Sequence, residues 1–125
     1  PDRPLRALLL APAVGIHEAW ARDVGAVGMR TWAETGHRPY PHRGLKKNIQ
    51  LPYDFWVQCR DAADVQIHHP CIIVHGIEDT VVPMARSEAL QACSPGVMDL
   101  VRVNDNHRLH KALPELEAIL KRLVS

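Results

Sequence analysis

An α/β fold, a parallel sheet flanked by helices, is predicted for this chain by three observations. Two uninterrupted apolar runs, LRALLLAPA at residues 5–13 and CIIVHG at 71–76, suit strands covered on both faces, as the strands of a parallel sheet are. A third segment, VMDLVRV at 97–103, is strand-like but less uniformly apolar, which places it nearer a sheet edge. Helical patterns lie between and after these segments, and strands separated by helices pair in parallel through crossover connections.

Taken in order, the first strand sits behind Pro4 and is ended by Pro12. From Ile16 to Trp32 the large apolar residues Ile16, Trp20, Val24 and Val27 recur at near-helical spacing, but Gly25 and Gly28 weaken a single long helix, so two short helices are expected. GHRPYPHRGLKK, residues 36–47, has two prolines, two glycines and six basic or imidazole side chains with no acid, and reads as an exposed loop. PYDFWVQCRDAAD, residues 52–64, opens on a proline suited to a helix's first turn and carries Tyr53, Phe55 and Trp56 close together. After the second strand, Pro83 opens a helix over 83–93 that SPG stops. Leu109, Leu113, Leu116, Leu120 and Leu123 then recur at steps of four and three, with Pro114 in the first turn and Lys121 and Arg122 near the end, which predicts an amphipathic closing helix.

Composition excludes several function classes. With 46% hydrophobic and 23% charged residues over 125 positions, the chain should bury a core and form one domain. A net charge of +1 implies no nucleic-acid partner, and no apolar run approaches the roughly 18 residues that cross a bilayer, so no membrane partner is expected either. Cys59, Cys71 and Cys93 are odd in number and lack CxxC spacing, which points to a reducing, cytoplasmic compartment rather than a disulfide framework or zinc knuckle. The eight histidines, including His68, His69, His107 and His110, fall in no HExxH frame, so neither a metal nor another cofactor is expected. The chain opens at Pro1 almost directly into a strand, as the later part of a longer protein would.

In an open parallel sheet, ligands bind beyond the carboxyl ends of the strands. Two polar segments fall at that edge: HGIEDTVVP after the second strand, with Asp79, and VNDNHRLH after the third, with His107. One helix and one strand separate them, so the two should emerge side by side. A carboxylate beside a histidine fixes the imidazole tautomer and stabilises its protonated form, which is what a histidine base requires. Each residue has a plainer role to weigh, Asp79 as a turn or capping residue and His107 as a surface histidine. Glu78 is the weaker alternative acid, His75 reads as a packed strand-end histidine, and Asp105 as a turn-shaping residue.

HPCIIVHGIEDTVVP, followed by a helix, a strand and DNHRLH, resembles the closing third of an α/β-hydrolase, and RALLLAPA with a tryptophan-containing segment after it resembles the preceding strand and lid. The specific part spans residues 69–110 and most resembles small esterases and acyl thioesterases. The resemblance implies that Asp79 is the acid and His107 the base of a Ser-His-Asp triad, that residues 14–64 form a helical cap, that 65–125 carry the acid and base, and that the substrate is a small-molecule ester or thioester. The family's nucleophile lies upstream, in a G-x-S-x-G elbow that these residues do not contain. Ser87 falls within a predicted helix, Ser94 at its end and Ser125 at the terminus, while Cys71 and Cys93 sit at element ends.

The expected partner is therefore a missing N-terminal half carrying the serine, or a second copy of the chain pairing through the exposed first strand. The alternative class is a non-catalytic binding or dimerisation module built on the same fold. For the basic 36–47 segment, the choice lies between a solvated surface and a lid attracting anionic acyl substrates. Trp20, Trp32, Tyr53, Phe55 and Trp56 would pack the cap or line an acyl pocket.

Overall fold

The computed structural model describes residues 5–125, so Pro1 and Pro4, read above as the chain's opening and the punctuation before its first strand, lie outside the described residues. In chain order the elements are β1 (Ala7–Leu10), α1 (Ile16–Thr35), β2 (His37–His42), β3 (Lys47–Pro52), α2 (Tyr53–Asp61), β4 (Cys71–Gly76), α3 (Met84–Cys93), β5 (Val97–Val103) and α4 (Leu113–Val124). They fall into two units: the chain up to Val14 together with Val65–Ser125, and Gly15–Asp64.

In the first unit β1, β4 and β5 form a parallel sheet in the order β1-β4-β5. The central strand is the most deeply covered one, every residue of β4 being buried. Its alternate side chains serve opposite faces, as the period of two in a strand requires. Ile72 and Val74 join Val103, Leu109, Ala112, Ile119 and Leu123 on the face that α4 covers, while Ile73 joins Leu90 and Leu100 on the face that α3 covers. Burying such an aliphatic side chain is worth roughly 1.5–3 kcal/mol, so a strand contributing to both faces anchors the unit. The less apolar β5 is an edge strand, as its composition predicts, with Met98 and Arg102 exposed.

Two expectations change in this unit. Leu109 precedes α4 rather than beginning it, and adopts a left-handed conformation at φ 56° in the loop. Within α4 the buried residues are Ile119 and Leu123, with Leu116 partly buried, whereas Leu113 and Leu120 are exposed. The leucine spacing identified the helix and put Leu109, Leu116 and Leu123 on the core side, but at the other two positions the core-facing residue is the one before the leucine, Ala112 and Ile119.

In the second unit, α1 is two helical segments broken at Gly25, whose φ of 80° and ψ of 161° are accessible to glycine alone at little strain, so the two expected short helices are present. The basic segment at 36–47, expected to be a loop, is instead most of an antiparallel hairpin, β2 paired with β3 from His37 opposite Pro52 to His42 opposite Lys47. Proline density misled the reading. Pro39 and Pro41 alternate, so both missing N–H groups fall on one side of the strand, and in a two-stranded ribbon that side needs no partner. The predicted helical cap segment is thus mixed in structure. Its aromatic side chains pack together: the Trp20 ring lies 5.7 Å from Tyr40 and 5.8 Å from Phe55, Tyr53 stacks on Trp56 at 5.6 Å, and the buried Trp32 donates from Nε1 to the Leu51 carbonyl.

Candidate active site

β4 and β5 end level, Gly76 opposite Val103, so the residues that follow each strand leave the sheet at one edge. The ladder continues one step further, with the Ile77 N–H donating to Val103 O and the Glu78 N–H to Asp105 O. Gly76 makes this approach possible. A Cβ at Gly76 would collide with the carbonyl oxygens of Asp105 and Asn106, so the glycine of the HG pair is required by the backbone crossing over it.

Beyond Gly76 the chain turns on Asp79. Its Oδ1 accepts from the backbone N–H groups of Val81 and Val82, both at 2.8 Å, which is the local bonding that favours aspartate in turns. Beyond β5 a second aspartate does comparable work: Asp105 accepts from Asn106 N–H at 2.7 Å and from Ala112 N–H at 2.9 Å, holding the 105–112 loop closed. Asp105 therefore shapes the turn, as its sequence position suggested. The outcome is that His107 Nδ1 and Asp79 Oδ2 meet at 2.8 Å, across 28 residues of sequence.

The electrostatics follow from this bonding. The Asp79 side chain is only 1% exposed, and burial works to raise its pKa. The Val82 N–H, the His107 ring and the Val81 N–H outweigh that effect and hold the carboxyl below its ordinary value, so Asp79 is ionised. Desolvation likewise opposes ionisation of Asp105, but the Asn106, Ala112 and Lys111 N–H groups and the Lys111 charge bring it below the usual range. His107, by contrast, is 41% exposed. A carboxylate only accepts, so the His107 ring donates from Nδ1 to Asp79.

His75, a residue the sequence left as packing, lies against the same carboxylate. It is fully buried, with Nε2 2.8 Å from the Val82 carbonyl and 3.4 Å from Asp79 Oδ2, and Nδ1 2.6 Å from Ser87 Oγ. The signal for its place was the strand-end histidine four residues before the aspartate. Glu78, the alternative acid, is exposed. Of the serines, Ser87 and Ser94 are buried and Ser125 ends the chain, and Cys71 is a buried thiol whose pKa is pushed up by burial. None of these groups is paired with His107. Among the described residues there is no group of three or more histidine, cysteine or acidic side chains that could hold a metal, and no helix long and apolar enough to cross a membrane. Within the Gly15–Asp64 unit, Trp20, Trp32, Tyr40, Leu51 and Arg38 line an open cavity of about 250 Å³.

Solved structures share this architecture. Alpha/beta hydrolase domain-containing protein 10 from mouse superposes with a TM-score of 0.67 at 19% identity, over 95% of this chain and 53% of that one. The structure described as "Putative hydrolase from Agrobacterium vitis S4" superposes with a TM-score of 0.77 at 18% identity, over 96% of this chain and 49% of that one. At these identities the likeness is one of fold, and the chain spans about half the length of either structure. No curated protein matches the sequence. The parallel sheet with its flanking helices is an α/β-hydrolase fold, and by the match of residues 3–123 the chain belongs to the family described as Uncharacterised protein family (UPF0227).

Proposed function

We propose that this chain supplies the acid and base of a Ser-His-Asp hydrolase acting on carboxylic esters or thioesters, with a serine nucleophile contributed from outside these residues. The carrying observation is the 2.8 Å contact between His107 Nδ1 and a buried, ionised Asp79, with the His107 side chain 41% exposed. In this reading His107 Nε2 takes the serine proton as the hydroxyl oxygen attacks the acyl carbon, and Asp79 stabilises the resulting imidazolium. The same proton is passed to the departing alkoxide or thiolate, leaving an acyl-enzyme. Water then repeats the sequence and releases the acid. Residues 14–64 are the lid segment in this reading. Three free cysteines fit a cytoplasmic setting.

The second reading, a binding module that dimerises through β1, is favoured by one feature: β1 is an edge strand, with Leu10 49% exposed. Both readings meet in one experiment. The full gene product is treated with a fluorophosphonate, which modifies activated serines, and each species is weighed intact. An adduct on a serine outside the 125 residues, lost or slowed about 10⁴-fold in Asp79→Asn while the fold is retained, supports the hydrolase, since tautomer control is worth about that much in triad enzymes. An unmodified product, together with a 125-residue chain that sediments as a dimer, would replace it with the binding module.

A further inference from the structure

His75 cannot reach a substrate, because it is fully buried, yet its ring joins three pieces of the acid's surroundings. It stands at the end of β4. Nε2 lies 2.8 Å from the carbonyl of Val82, the residue whose own N–H bonds Asp79 Oδ1. On the other side of the ring, Nδ1 lies 2.6 Å from the hydroxyl of Ser87, which is buried in α3. Asp79 Oδ2, the oxygen that receives His107, sits 3.4 Å from the same Nε2.

These contacts assign the proton. A carbonyl oxygen only accepts, so the hydrogen belongs on Nε2 and points at Val82; in the neutral ring Nδ1 must then accept from the Ser87 hydroxyl. The Nε2–H edge is the positive side of the ring dipole, and Oδ2 lies beside it. Val82 is held at both its polar groups, its carbonyl by His75 and its N–H by Asp79, so the turn cannot rotate away without breaking a buried hydrogen bond.

We propose that His75 is a positioning residue: its Nε2–H, donated to Val82 while Nδ1 accepts from Ser87, fixes the Val82 carbonyl and thereby the orientation in which Asp79 Oδ2 receives His107. This rests on the reading of Asp79 and His107 as an acid–base pair, but the arrangement exists in the chain by itself and can be tested there without turnover. His75 acts only through Asp79 and never on a substrate.

The test is nuclear magnetic resonance on the 125-residue chain. Long-range proton–nitrogen spectra report the tautomer of each histidine, and the low-field Nδ1 proton of His107 reports its bond to Asp79. The amide nitrogen of glutamine reaches as far as Nε2 of histidine, whereas that of asparagine reaches only as far as Nδ1. His75 is expected as the Nε2–H tautomer. His75→Gln should retain the low-field proton, while His75→Asn, with dispersed amide signals showing that it folds, should exchange it about tenfold faster, the loss of one buried hydrogen bond. Ser87→Ala, which removes one oxygen and leaves both rings, should shift the His75 nitrogen signals and raise the exchange less. A folded His75→Asn with unchanged exchange, or His75 found as the Nδ1–H tautomer, would overturn the proposal. If His75→Asn does not fold, the tautomer measurement and Ser87→Ala still decide it. Failure of the hydrolase reading would look different: the expected spectra with no serine adduct on the full gene product.

Discussion

Gly76 passes so close beneath Asp105 that a single added carbon would strike the aspartate's carbonyl oxygen. The contact joins the strand that carries the acid to the loop that carries the base, and it links stability to the geometry of the candidate site. Gly76→Ala should therefore push the 105–107 backbone outward, at a cost of about 1–3 kcal/mol, the range for overpacking a buried position. Urea unfolding should show a lower midpoint with an unchanged slope.

The two faces of α4 give a second prediction. Ile119 is 5% exposed and lies in the core cluster with Ile72, whereas its neighbour Leu120 is 45% exposed. Ile119→Ala should cost about 2–5 kcal/mol, the range for truncating a buried aliphatic side chain. Leu120→Ala should stay within about 0.5 kcal/mol, as exposed substitutions do. Equal losses in denaturant unfolding would mean that the exposed leucine packs against something in solution.

Acid should weaken the fold through two aspartates. Asp79 and Asp105 both have pKa values below the ordinary carboxylate value. A carboxyl that ionises more readily when folded contributes stability that is fully present above the unfolded pKa of about 3.9 and is lost as pH falls through the lower, folded value. Stability measured from pH 5 downward should thus be level to about pH 4 and fall below it. Asp79→Asn, which no longer titrates at that position, should show a shallower fall; an identical slope would mean that Asp79 does not contribute.

Thiol reactivity should separate the cysteines. Cys71 is buried in β4 and burial raises its pKa, while Cys93 is exposed at the end of α3. The thiolate is the reactive form, so a disulfide reagent should modify Cys93 in the native protein and reach Cys71 only after unfolding. Rapid native modification of Cys71, located by peptide mapping, would show that β4 opens locally.

Much of the sheet was legible from composition. CIIVHG reads as a strand because it is apolar without alternation, which requires cover on both faces, and α3 and α4 supply it. Asp79 and His107 could be paired from topology, since a parallel crossover brings the ends of neighbouring strands to one edge. The hairpin was not legible, because proline and glycine density signals a loop when nothing shows that both prolines face an unpaired edge. The site of His75 was hidden for a related reason: a histidine at the end of an apolar strand looks like packing, and its partners Val82 and Ser87 lie in a turn and a helix that only folding brings against it.

By itself the sequence determined what depends on local pattern: the three strands of the parallel sheet, the helices between and after them, and the edge at which an acid and a histidine emerge. Tertiary structure alone decided what depends on distances between residues far apart in the chain. These are the 2.8 Å contact of His107 with Asp79, the glycine that lets one loop cross the other, and the buried ring of His75 beside the carboxylate. The physical reason is that periodicity sets which face a side chain takes, whereas hydrogen bonding within a few ångströms depends on how two separate backbones pack.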